Sequence, residues 1–144
     1  MKIIFDYNRT LFNPDSGDVF PGVFRLLKTL APKHELFLIT LDKPERKSSA
    51  AITEMAPFFK DVVFVERKTV SVFQTIVGQD KNVLIIGDRL EDEIRIGIKL
   101  GLPTIHVRGK TPPSLKRFFP RKQRPTHTVP SIDAVLEIIE TYEK

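Results

Sequence analysis

Four polar positions in this 144-residue chain each close or follow a short apolar run, and together they hold the parts of one kind of chemistry. Asp6 ends KIIFD, Thr40 ends ELFLIT, Lys68 stands just past DVVFVE, and Asp88 ends NVLIIGD, with Glu91, Asp92 and Glu93 close behind. A carboxylate, a hydroxyl, an ammonium and an acidic cluster are what metal-assisted phosphoryl transfer requires. The carboxylate attacks phosphorus. Hard oxygen ligands hold Mg2+. The ammonium and the metal neutralise charge on the group in transit. Two residues beyond Asp6, where a second acid would cooperate with it, the chain has Asn8.

The elements that must position these residues can be read from the same runs. Short apolar stretches bounded by polar turn residues predict buried strands at 2–6, 35–40, 61–66, 82–88 and 102–107. Between them, apolar residues at helical spacing predict helices at 21–31, 44–58, 68–78, 90–101 and 131–144. Pro21 stands at a plausible first helical position, Gly78 and Gly101 at helix ends, and Ser131 at an N-cap. Alternating strands and helices predict an α/β fold: a doubly wound, Rossmann-like α/β/α sandwich on a mostly parallel sheet of five or six strands. In such sheets ligands bind beyond the carboxyl ends of the strands, which is where all four polar positions fall.

Composition narrows the field. At this length a single domain spanning 1–144 is expected, with enough chain to bury a core. With no cysteine, disulfides, thiolate metal sites and cysteine nucleophiles are excluded, and three scattered histidines make a poor zinc site. No apolar run has the length of a membrane span, and the short N-terminal run meets a charge at once, so a cytoplasmic protein without a signal peptide is expected. The net charge of +5 is local. Residues 108–124, RGKTPPSLKRFFPRKQR, hold seven basic residues and no acid; without them 16 of the 23 Lys and Arg face 18 acids. This stretch reads as a solvated loop, with Phe118 and Phe119 anchoring it on the core, or as a seat for nucleic acid or another polyanion.

These motifs resemble those of the haloacid dehalogenase-like (HAD) phosphohydrolase superfamily over nearly the whole chain. FDYNRTLF is similar to its first motif, DxDx[TV]; FLIT to the second; Lys68 to the third; and LIIGDRLEDEI to the fourth. The resemblance implies a Mg2+-dependent phosphatase working through an aspartyl-phosphate. Asp6 would be the nucleophile and a metal ligand, Thr40 would bind the phosphoryl group, and Lys68 would pair with phosphate and nucleophile. Asp88 would bind Mg2+, and Asp92 or Glu93 would serve the metal's surroundings or orient Lys68; the spacing leaves that choice open. Asn8 departs from the pattern, standing where family phosphatases have the second Asp, their general acid and base. The metal contact at that position is a backbone carbonyl, which Asn retains. The resemblance therefore implies that Mg2+ and phosphate binding are kept while turnover is impaired. It leaves open a catalytically silent phosphate- or polyanion-binding module, and a substituted form of an active phosphatase. Asp42, two residues past Thr40, is a candidate substitute acid, and His106 reads as structural.

Family members that act on small metabolites usually carry a cap inserted after the first motif or between the second and third. Only Leu11–Phe20 separate Thr10 from the next helix, and one helix and one strand fill the interval from Thr40 to Lys68. A capless form is expected, with an open crevice for a phosphorylated substrate, a macromolecular one included, or a homo-oligomer in which a neighbour covers the site. It argues against 2-haloacid dehalogenation.

Overall fold

Strands buried on both faces need apolar residues at odd and even positions alike, and the runs read above provide them. The computed structural model describes residues 1–109 and 124–144. In chain order the elements begin with β1 (Lys2–Asp6), a hairpin of β2 (Phe12–Asn13) and β3 (Asp18–Val19), α1 (Val23–Leu30) and β4 (Glu35–Leu41). Next come α2 (Pro44–Lys47), α3 (Ala50–Met55), β5 (Asp61–Val65), α4 (Val70–Val77) and β6 (Val83–Gly87). The chain continues with α5 (Arg95–Lys99), β7 (Thr104–Val107), β8 (His127–Val129) and α6 (Val135–Tyr142).

Six strands form one sheet in the order β5-β4-β1-β6-β7-β8, with every neighbouring pair parallel. The chain starts at the centre, builds outward to one edge, then returns to build the other half. β1 is therefore the point where strand order reverses, the usual place for a ligand crevice in such folds. Alternation along β1 divides the core. Ile3 and Phe5 join Leu36, Leu38, Leu84 and Ile86 beneath α1, α3 and α6. Ile4 joins Phe37, Ile39 and Ile85 beneath α4 and α5. Each such fully buried side chain contributes about 1.5–3 kcal/mol, and this apolar body is what holds charged groups at the sheet's carboxyl edge. The fold is the expected Rossmann-like three-layer arrangement. Among the described residues no inserted domain interrupts it: a hairpin follows β1, and α2, α3 and β5 fill the stretch between Thr40 and Lys68.

Several boundaries differ from the sequence reading. The sheet's sixth strand, β8, lies in what read as an interruption, because three residues are too few to display a period. Pro21 lies outside α1, whose N-cap is Gly22 in the left-handed region at φ 86°. The single helix expected at 44–58 is broken at Ser48 and Ser49. Ser48 Oγ donates to the Pro44 carbonyl at 3.0 Å, and Ser49 Oγ caps α3 by accepting from Ile52 N at 3.3 Å. Such side chains compete with helix backbone bonds. Ser131 caps no backbone amide; its hydroxyl bonds Asp133 Oδ1 instead. The helix expected from residue 68 starts at Val70, with Thr69 Oγ1 accepting from Val72 N, which leaves Lys68 in a loop. Of the basic stretch 108–124, only Arg108, Gly109 and Arg124 are among the described residues, so the anchoring of Phe118 and Phe119 falls outside them. No helix of the described residues is long and apolar enough to cross a membrane.

Candidate active site

Parallel register brings the polar positions together. Asp6 lies opposite Ile39 on one side, so Thr40 stands one residue further along β4. On the other side Phe5 pairs with Ile86, which puts Asp88 two residues past the end of that pairing. Lys68 enters from the loop after β5. Its ammonium pairs with Asp6 Oδ1 and, at 3.0 Å, with Glu93 Oε2. The three side chains are 7% exposed or less. Asp6 Oδ2 accepts from the fully buried Thr10 hydroxyl at 3.3 Å.

Glu93 reaches this cluster because the chain leaves β6 unusually. Leu90–Ile94 form a π-helical turn before α5, a widened turn that recurs at functional sites. The turn folds the Glu93 side chain back over Gly87, where an added Cβ would overlap its Cγ, Cδ and Oε1. Glu93 Oε1 accepts from Arg89 N at 3.1 Å, which fixes the other end of the carboxylate. His106, buried on β7, has Nε2 3.0 Å from the Asp88 carbonyl and braces that loop by donating to it.

Burial dominates the electrostatics. It pushes the Asp6 carboxyl up to about 6; Lys68 pulls the other way and neighbouring Asp88 adds to the rise. Burial likewise pushes Glu93 up to about 7, helped by Asp6 and opposed by Lys68. Asp88 is raised mainly by burial, with Glu93 adding to it. Burial disfavours the Lys68 ammonium, but Asp6 and Glu93 outweigh it and the net shift is upward. Three acids around one base leave the cluster short of positive charge. Asp88 Oδ1 is buried with no hydrogen-bond partner. Asp6, Asp88 and Glu93 each offer an oxygen within 4.8 Å of the others. A hard divalent cation suits that donor set.

Asn8 and Arg9 reach the site on a tight turn in which the Tyr7 carbonyl accepts from the amides of Leu11 and Phe12 at 2.9 and 3.0 Å. Arg9 takes the left-handed backbone at φ 61°, a conformation found at few non-glycine residues. Asp6, Asn8, Lys68 and Asp88 line a crevice of about 440 Å³ that Asp92 also borders. The structure separates the two acids that spacing could not. Glu93 is in the cluster, whereas Asp92 points to the rim and holds Arg89 Nε at 2.9 Å. Thr40 is fully buried, and its hydroxyl accepts from Arg46 Nη1 at 3.3 Å. Asp42 is exposed, paired with Lys47 Nζ at 3.1 Å, and not part of the crevice lining. Sequence reading gave no role to Thr10, Arg46 or the His106 brace. Thr10 falls inside the quoted first motif; Arg46 carries no signal short of the fold, and His106, read as structural, gives none for its particular partner.

A family profile described as HAD-hydrolase-like matches residues 43–135. No curated protein matches the chain. Several solved structures share its fold. YfnB of Bacillus subtilis, a candidate HAD-hydrolase solved bound to magnesium, superposes with a TM-score of 0.70 at 20% identity, covering 85% of this chain and 57% of that one. A 2-haloacid dehalogenase from Pseudomonas syringae pv. Tomato gives 0.70 at 18%, covering 87% and 54%. The core domain of a candidate phosphoglycolate phosphatase from Streptococcus pneumoniae gives 0.66 at 17%, covering 97% and 95%. The chain thus spans little more than half of the first two and nearly all of the third, which is itself a core domain.

Proposed function

From the premise that the chain belongs to the HAD-hydrolase-like family, we propose that it is a Mg2+-dependent phosphomonoesterase whose turnover is slowed by Asn8. The observation that carries this reading is the buried Asp6 carboxylate, held by Lys68 and Thr10 at the switch point of the sheet, in a crevice that Asn8 also lines. Asp6, Asp88 and the Asn8 backbone carbonyl would hold Mg2+, with Glu93 fixing Lys68 beside it. The ion would supply charge neutralisation for the phosphoryl oxygens.

In the first step an Asp6 oxygen attacks phosphorus, the P–O bond to the leaving group breaks, and an aspartyl-phosphate forms. With its carboxyl near 6, Asp6 is mostly ionised above neutral pH, as a nucleophile must be. Lys68 holds the carboxylate in place, and Arg46, which lines the crevice, would receive the phosphoryl oxygens, braced by the buried Thr40 hydroxyl beneath it. The departing oxygen needs a proton, and in the second step water must lose one as it releases phosphate from Asp6. The Asn8 amide can do neither. Loss of such assistance slows turnover by roughly 10²–10⁴-fold, and least for leaving groups that need no proton. The open crevice fits a phosphorylated group on a larger molecule or a site closed by a second copy. Residues 108–124 offer cations for a polyanionic partner.

Mg2+-dependent hydrolysis of an activated aryl phosphate tests this. Slow turnover is expected, with Asp6→Asn inactive and Asn8→Asp faster by about 10²-fold or more. Equal rates for all three proteins would sink the reading. Asn8 favours a second reading, a phosphate-binding module without turnover. Orthophosphate binding, with hydrolysis only in Asn8→Asp, would select it.

A further inference from the structure

The crevice above Asp6 carries more positive charge than a reaction at Asp6 uses. Six basic residues line it, Arg9, Lys43, Arg46, Arg67, Lys68 and Arg89, against four acids. Three of the six already have carboxylate partners. Lys68 is held by Asp6 and Glu93, Arg89 by Asp92, and Arg9 by Asp15 at 3.6 Å. Lys43, Arg46 and Arg67 have no carboxylate within ion-pair distance among the described residues. Arg46 is half-buried and donates to the Thr40 hydroxyl, so it belongs with the phosphoryl group at Asp6. Lys43 and Arg67 bond neither Asp6 nor Thr40 among the described residues.

Those two cations share one side of the crevice. Lys43 lies in the turn from β4 into α2, and Arg67 in the loop after β5, next to Lys68. β4 and β5 are adjacent and parallel, with Leu41 opposite Val65, so both loops leave the sheet together. Both are exposed and line the crevice, and a focused positive field raises the local concentration of anions. Glu66 also lines the crevice and, like Lys43 and Arg67, is exposed, but it forms an ion pair with neither. We infer that Lys43 and Arg67 seat a second phosphoryl group, so that the substrate is a phosphomonoester carrying another phosphate within reach of the first. Guanidinium and ammonium groups bind phosphate oxygens through strong charge-assisted hydrogen bonds. The inference rests on the phosphomonoesterase reading for the group at Asp6, and it names what the rest of the substrate must carry.

The test needs no turnover. Titration calorimetry with Mg2+ present compares α,ω-alkane bisphosphonates of two to six carbons with alkyl monophosphonates of equal length. At least one bisphosphonate is expected to bind about tenfold more tightly than its monophosphonate, the worth of one strong contact. That advantage should vanish in the double variant Lys43→Gln/Arg67→Gln and grow in Glu66→Gln. Parity at every chain length, or an advantage that survives the double variant, overturns the inference. Phosphonocarboxylates that bind as well as bisphosphonates overturn the assignment of a second phosphate in favour of a carboxylate. A bisphosphonate preference without aryl phosphate turnover in any variant removes the phosphatase reading alone. Turnover without the preference removes this inference alone.

Discussion

Lys60 and Lys68 flank the same strand, β5, one paired to a carboxylate on adjacent β4 and the other to one on β1 beyond it, yet the two pairs obey opposite rules. At the amino end Lys60 Nζ lies 2.6 Å from Glu35 Oε2, and both side chains are about half exposed or more. Its hydrogen bond and charge lower the Glu35 carboxyl, as a lysine neighbour should. At the carboxyl end Lys68 likewise pairs directly with Asp6, but Asp6 rises to about 6. Water solvates the first pair and screens it. Around the second, removal from water outweighs the lysine, and two further acids share the single cation. The same two functional groups make a surface decoration at one end of a strand and a buried cluster short of positive charge at the other.

The sharpest way to break this comparison is to delete each lysine's charge. Lys68→Met leaves Asp6 and Glu93 buried without a cation and is expected to cost about 3–5 kcal/mol at pH 8 by urea denaturation. The cost should shrink toward pH 5, where both acids can take up protons. An unchanged midpoint at pH 8 would mean that the cluster is not coupled.

A pH series on the metal-free protein probes the cluster next. Asp6 and Glu93 bind a proton more tightly folded than unfolded, since their folded values of about 6 and about 7 exceed the unfolded ones. Their contribution is therefore fully present below about pH 4 and is lost as pH rises through 6 and 7, a swing on the order of 2–4 kcal/mol. The urea midpoint should rise as pH falls from 8 to 5. Mg2+ at about 100 times its Kd should add about 2.7 kcal/mol at pH 8 and flatten the slope. A profile that falls steadily with acid, with no response to Mg2+, would contradict the cluster's charge balance.

Gly87→Ala acts on the same cluster through shape. The added methyl group must displace Glu93, at about 1–3 kcal/mol, and should weaken Lys68's hold on Asp6. Thermal denaturation and aryl phosphate hydrolysis would both register it. Lys60→Met, the control at the other end, is expected to leave the urea midpoint unresolved from the parent and the aryl phosphate rate unchanged. A clear loss there would erase the contrast between the two pairs.

Much of this site was legible before the fold. Asp6 and Asp88 announce themselves as lone acids ending buried apolar runs, and such runs admit a charge only where the strand stops. Lys68 could be placed in the site but not in its loop, because a helix start and a loop lysine look alike in sequence. The choice between Asp92 and Glu93 was beyond spacing. Adjacent residues differ by about 100° around a helix, and a π-helical turn alters even that count. β8 was hidden by its length, and the Arg46–Thr40 contact by the absence of any local pattern that joins them.

The sequence by itself determined the doubly wound sheet, the absence of an insertion between its motifs, and the amide at Asn8, because apolar periodicity and residue identity are local properties. Only the tertiary structure decided which acid holds Lys68, which cations line the crevice without a carboxylate partner among the described residues, and which way the carboxyls shift. Those depend on burial and on side chains from distant strands meeting in space, and neither is written at any one position of the chain.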